Sequence, residues 1–274
     1  MIQSVRLRIA LLLVITVAAL GGYWFTAGAH AQPPWYHDFA DQRCFAGVPH
    51  TLNVLSNLPF VLFGALGLWY MASAASERPG AFIERSERWP YWIYFAGLLL
   101  TGIGSAYYHS NPCNPTLTWD RLPLAIMFMG LFTGILAERV HVACSRWLLV
   151  PLVLFGALSV LHWDYTERQG AGDLRLYFTV QFFPLLAVPI MLLLYPPRYT
   201  GAGDLLASLL CYGLAKVLEL LDHQVYSGGQ LISGHSLKHL IAGLGSGLIL
   251  LMLMRRVPSG AAKPAADVAL LSPV

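Results

Sequence analysis

Residues 235–254 read HSLKHLIAGLGSGLILLMLM and are followed directly by Arg255 and Arg256. Beyond Lys238 and His239 the stretch carries no charge, and at about 20 residues it has the length an α-helix needs to cross the hydrocarbon layer of a bilayer. Two histidines four apart begin it, so their side chains share one helical face. Two arginines close it, and a positive flank of this kind stays on the cytoplasmic side. One segment thus sets three expectations: a membrane helix, its direction, and a pair of imidazoles at its outer end.

Toward the amino terminus, further apolar runs lie at 52–71, 90–108, 122–137, 147–161, 174–194 and 205–221. The chain is 57% hydrophobic and 11% charged, far below the charge of roughly 25% usual in soluble domains. The pattern predicts an all-α polytopic membrane protein whose core, residues 52–254, is a seven-helix transmembrane bundle. Residues 1–31 add another hydrophobic segment: Arg6 and Arg8, an apolar run at 9–25, then Ala29-His30-Ala31. That order suits a cleaved secretory signal or a retained anchor helix, and both send residue 32 outside. Residues 32–51 then form an outer segment, and residues 255–274 are expected to be a disordered cytoplasmic tail.

The basic residues test this map independently. Arg78, Arg85, Arg88, Arg139, Arg146, Arg198, Arg255, Arg256 and Lys263 all fall on one side, Asp164, Glu167 and Asp173 lie in a loop on the other, and Arg43, Arg121, Arg168 and Arg175 are the exceptions near the outer ends. Such asymmetry places the first side in the cytoplasm, as for an inner-membrane protein. The net charge of +3 is small and scattered, so no basic stripe exists to follow a phosphate backbone, and nucleic acid is excluded as a partner. Cys44, Cys113, Cys144 and Cys211 form no CxxC pair. Cys44 and Cys113 both fall outside, where a disulfide is permitted, and their pairing is left open. Pro184, Pro189 and the row Gly243, Gly245, Gly247 predict close helix packing.

Ser105 and His109 stand four apart at the outer end of the run 90–108, and Asp120 is expected to begin the next helix after the short turn SNPCNPTLTW. The turn returns Asp120 to the depth of His109. His235 and His239 reach the same side, which completes a set of three imidazoles. Three protein ligands leave a fourth position open, the arrangement of catalytic zinc. Zinc lowers the pKa of bound water from about 15.7 to about 7 and polarises carbonyls. Asp120 is then placed to orient water or move its proton, and Ser105 to donate a hydrogen bond.

These elements resemble the alkaline ceramidases and the wider group of seven-helix membrane hydrolases. The resemblance rests on Ser105-xxx-His109, Asp120 in TWDRLP, His235-xxx-His239 in GHSLKHL and Asn53-Val-Leu-Ser-Asn57, and it spans all seven core helices. It implies zinc held by His109, His235 and His239, with Ser105 and Asp120 as polar partners of the reaction. The implied substrate is a ceramide-like N-acyl membrane lipid, cleaved to a fatty acid and a sphingoid base. Two positions depart from the group. Lys238 stands where a tryptophan usually precedes the last histidine, and His50 occupies the place of an acidic residue of the group's calcium site. Calcium is therefore the weaker expectation, beside the single catalytic zinc.

Lys216 and Glu219, three apart in an apolar run, are expected to pair with each other or to face a substrate cavity, with Asp222 and His223 nearer the rim. His30, His37, His141 and His162 have no partners at ligand spacing. Trp35, Tyr36, Trp119, Trp163 and Tyr226 read as headgroup anchors. Two other function classes stay open: a seven-helix receptor or chaperone whose zinc is structural or regulatory, and a transporter using the charges of run 205–221. Oligomeric state is not encoded in any of these signals.

Overall fold

The computed structural model describes residues 4–260. The described residues contain no β-strand, only the isolated bridges Phe45–Val48 and Tyr199–Pro258. The helices are α1 (Val5–Thr26), α2 (Thr51–Leu55), α3 (Leu58–Ala72), α4 (Arg88–Ser110), α5 (Asn114–Arg139), α6 (Cys144–Trp147), α7 (Leu149–Arg168), α8 (Arg175–Leu194), α9 (Ala202–Leu220), α10 (Asp222–Ser227) and α11 (Gly234–Arg255), with 3-10 turns at Pro34–His37, Ala74–Glu77 and Arg85–Glu87. Six spans are long and apolar enough to cross a membrane: α1, α2 with α3, α5, α7, α8 and α11. Helices α4 and α9 have 23 and 19 residues, but tyrosines, glycines and a histidine dilute the first, and Asp204, Lys216 and Glu219 the second.

Polarity in this bundle runs opposite to that of a water-soluble protein. Asn53, Ser105, His109, Asp222, His235, Ser236 and His239 are buried, whereas Leu62, Trp69, Leu100, Leu154, Leu158, Leu210 and Leu244 are exposed. A belt of exposed leucines is what lipid-facing helices present, because hydrocarbon rewards burial of polar groups inside and leaves apolar side chains free outside. The main packing pairs are α4 with α5, α3 with α4, α9 with α11 and α5 with α7, while α1 leans on α8.

Small residues set how near the site-bearing helices come to each other. A methyl added at Gly104 would stand 2.1 Å from the Trp119 carbonyl oxygen, so α4 and α5 touch backbone to backbone one turn from His109. The glycine row of α11 faces two neighbours, as close packing requires: Gly243 and Gly247 meet Pro59 and Phe63 on α3, and Gly245 meets Ser208 and Cys211 on α9.

Three boundaries differ from the sequence expectation. Helix α5 begins at Asn114, before the expected turn ends, because a proline in the first turn costs no hydrogen bond and Cys113 and Thr116 cap each other's backbone. Asp120 therefore lies inside α5, past its first turn, and does not begin it. Helix α7 runs on to Arg168, so Asp164 and Glu167 project from a helix and not from a loop. Past Arg255 the chain stays packed through residue 260: Arg256 is 1% exposed and bonds Glu138 and the Ala81 carbonyl, and Ser259 N–H donates to the Arg198 carbonyl. The rest of the expected disordered tail, 261–274, lies outside the described residues.

Candidate metal centre

The short turn between α4 and α5 and the amino-terminal turn of α11 bring His109, His235 and His239 together at one end of the bundle. Their ring centroids are 4.8, 4.9 and 4.8 Å apart, and one ligand atom from each lies within 4.8 Å of the others. All three are buried. Among the described residues this is the one group of three His, Cys, Asp or Glu donors that converges so closely. The triad can hold a metal ion. Zinc–imidazole bonds of about 2.0–2.1 Å place tetrahedral donors about 3.4 Å apart, somewhat closer than the 4.8 Å within which these donors lie.

The surroundings fit that use. Ser56 Oγ donates to the Asn53 carbonyl at 3.0 Å and lies 2.8 Å from His239 Nδ1. A hydroxyl has one proton, so Ser56 accepts from Nδ1–H, and the neutral ring keeps the Nε2 lone pair for a ligand. His109 Nδ1 is buried with no hydrogen-bond partner, which a bound cation would satisfy. His235 is positioned through its backbone, whose N–H donates to Asp222 Oδ1 at 2.7 Å. A methyl at Gly234 would stand 2.3 Å from the Leu218 carbonyl oxygen, so only glycine lets α11 start this close to α9. Lys238 Nζ lies 3.1 Å from His235 Nε2 and 2.8 Å from Glu219 Oε1. A cation on that nitrogen leaves Glu219 as the ammonium's partner.

The outer segment covers this end of the bundle. Phe39 is 3% exposed, and its ring centroid lies 4.6 Å from both His109 and His235. Ala40 N–H donates to Asp222 Oδ2, and the His37 ring bridges Tyr108 Oη and Asn114 Oδ1, each bond at 2.9 Å. Burial pushes the His37 imidazole below its usual pKa. Asp41 is gripped by Arg43 through two side-chain bonds of 2.8 and 2.7 Å, and the guanidinium holds its carboxyl below the usual carboxylate range. His50 turns its Nδ1 to the Asp41 carbonyl at 3.1 Å.

A cavity runs inward from His239. Its upper part is polar, walled by Ser105, Asp120, Lys216, Glu219, Lys238 and His239. Ser105 stands within hydrogen-bonding reach of the Asp120 carboxylate. Its lower part is apolar, lined by Leu98, Phe128, Leu131, Ile135, Val188 and Leu205, with Pro184 of α8 in the wall. The two parts share Phe60, Thr101, Leu124, Gln181, Tyr212 and Ala242 as common walls, so a charged space adjoins an apolar one. No family model, curated protein or solved structure matches this chain. What the site does is therefore argued from its own chemistry.

The structure brings all five expected site residues to one end, with Ser105, Asp120 and His239 on the cavity wall and His109 and His235 under Phe39. Lys216 and Glu219 pair at 2.7 Å, as expected, and both side chains line the cavity. Phe39 and Ser56 were not singled out as contacts of the histidines. Phe39 sits in a segment without periodicity, and a serine's role as an imidazole acceptor leaves no pattern. Trp163 departs from its expected anchoring role: it is fully buried, donates to Glu167 and covers the Arg121 guanidinium at 4.3 Å. Cys44 and Cys113, like the other two cysteines, are free.

Proposed function

We propose that this protein is a zinc-dependent hydrolase of a membrane lipid amide, akin to the alkaline ceramidases, acting on a ceramide-like N-acyl lipid. The observation that carries the reading is the meeting of a three-imidazole cluster with a cavity that is ionic beside it and apolar beneath. A purely structural metal has no need of such a cavity. In this reading α4 and α9 cross the bilayer with the other five core helices, α1 adds a further span, the histidine end faces outward, and the arginine-rich end faces the cytoplasm.

His109, His235 and His239 would hold the zinc ion, which when bound would supply Lewis acidity toward a carbonyl and toward water. The lower cavity binds the acyl chain, which sets the amide at the level of Ser105 and Asp120. Asp120 takes the proton of the attacking water and returns it to the amide nitrogen as the C–N bond breaks, leaving a free acid and an amine. Ser105 gives its one hydroxyl proton to the Asp120 carboxylate and so holds that carboxylate in position. Phe39 and the outer segment limit bulk water, which strengthens every charge interaction beneath them. Lys238 and Lys216, both on Glu219, present ammonium groups to the polar head of the lipid.

The test is fatty-acid release from N-acyl sphingoid lipids by detergent-purified protein. Asp120→Asn is expected to retain metal and to lose turnover by about 10²–10⁴-fold, the usual contribution of a positioned acid–base group. Wild-type protein that holds metal yet cleaves no lipid amide, with Asp120→Asn unchanged in every other property, favours the receptor or chaperone class instead.

A further inference from the structure

At the opposite end of the bundle, the end of α3, the turns that follow it and the start of α4 enclose a groove lined by Met71, Glu77, Arg85, Arg88, Trp89 and Trp92. Arg88 and His109 are 21 residues apart on α4, which at about 1.5 Å per residue is roughly 32 Å. That span matches the hydrocarbon thickness of about 30 Å, so the groove lies at the second headgroup layer.

The charges in this region are unevenly matched. Arg88 is locked: Nη1 donates to Glu77 Oε1 at 2.9 Å, and Nη2 donates to the Met71 carbonyl at 2.7 Å and Ser76 Oγ at 2.9 Å. Its Nε is buried with no acceptor. Glu84 faces Arg198 at 3.7 Å, and Glu87 takes Arg198 at 3.4 Å and the Tyr199 hydroxyl at 2.5 Å. Every carboxylate of the segment thus has a cation or donor of its own. Arg85 is exposed, and its side chain has neither a hydrogen bond nor an ion pair among the described residues. A pinned guanidinium with an unused donor, a free guanidinium and two indoles therefore share one groove, Trp89 being 49% exposed and Trp92 half-buried.

We infer that this groove binds the headgroup of an anionic glycerophospholipid. Arg85 forks the phosphate oxygens, as guanidinium does best, beside the pinned guanidinium of Arg88. Trp89 and Trp92 lie against the glycerol and the first methylenes, the level at which indoles settle in a bilayer. The net charge of the groove, one uncompensated cation, selects a headgroup of net charge −1 over a zwitterion. This site is independent of the metal centre and of the reaction proposed for it.

Native mass spectrometry of the full chain in a neutral detergent tests the assignment, with phosphatidylglycerol and phosphatidylcholine of identical acyl chains as probes and glycerol 3-phosphate as the soluble control. Phosphatidylglycerol is expected to bind saturably with one lipid retained, at least about fivefold more tightly than phosphatidylcholine, and Arg85→Gln to remove most of that preference. Arg255→Gln, which alters another exposed arginine at the same end, should leave it intact. Equal binding of the two lipids, an unchanged Arg85→Gln, or an equal loss in Arg255→Gln overturns the site in favour of diffuse attraction. Glycerol 3-phosphate competing as well as the lipid overturns the lipid assignment. Arg85 makes no side-chain bond, so its substitution leaves folding intact, and an unchanged melting temperature verifies that.

Discussion

Replacing Ser56 with alanine removes one oxygen atom that touches no metal, yet it should weaken metal binding. Ser56 Oγ lies 2.8 Å from His239 Nδ1, with both groups buried. The hydroxyl fixes which nitrogen of His239 carries the proton and which way the ring faces. Loss of such a partner costs about 10–100-fold in metal affinity in comparable sites. Here the Asn53 carbonyl also lies beside the ring and remains an acceptor, which puts the expected loss at the low end, about tenfold or ~1.4 kcal/mol. The assay is competition for zinc between detergent-purified protein and a chromophoric chelator. Ser246→Ala, on the same helix but bonded only to the Ala242 carbonyl at 3.1 Å, is the control and should bind zinc as the wild type does. An unchanged affinity in Ser56→Ala, or the same loss in Ser246→Ala, refutes the assigned role of the serine.

Other perturbations reach the site through its supports. Asp222→Asn puts an amide donor against the backbone N–H of His235 or Ala40; loss of a charged acceptor costs about 1.5–3 kcal/mol, so the melting temperature should fall and proteolysis within residues 32–50 should quicken. Phe39→Ala opens the covering of two histidines and should speed zinc removal by a chelator while leaving the opposite end of the bundle protected from hydrogen exchange. The Asp41 carboxyl is held low by Arg43, so the unfolded chain binds its proton at higher pH than the folded one. Its stabilisation is therefore complete above the ordinary carboxylate value near ~3.9 and is lost as pH falls through the depressed one. Melting curves from pH 6 to pH 3 should drop less steeply in Asp41→Asn than in wild type. Gly104→Ala drives a methyl into the Trp119 carbonyl and should cost about 1–3 kcal/mol, whereas Gly213→Ala, with nothing within 4 Å, should be neutral or stabilising in the same unfolding assay.

Much of this architecture is written in residue order. Apolar runs located the helices to within a few residues except where local capping or lipid-level helix extension was decisive, as at Asn114 and Arg168. The i,i+4 pairs Ser105/His109 and His235/His239 declared their shared faces, because helical geometry converts spacing into direction. Their meeting with each other depended on both lying at the same end of the bundle, on two helices that each pack against α3. The covering segment was not readable in the same way. Residues 32–50 form one short 3-10 turn and otherwise irregular backbone, and the position of Phe39 is set by long-range bonds such as Ala40 to Asp222, to which no local pattern points. Asp222 illustrates the same limit: it appeared as one acidic residue near a rim, and only the fold shows it holding α11 and the covering segment together.

The decisive measurement is zinc content and fatty-acid release determined on the same purified samples of wild type and His109→Ala. His109 approaches the cluster from α4, so its removal leaves the α11 pair in place and tests whether ligands from two helices act as one site. The account predicts about one zinc per wild-type chain together with lipid-amide cleavage, and loss of both in His109→Ala. Turnover that persists in His109→Ala, or in wild type stripped of metal, would contradict it.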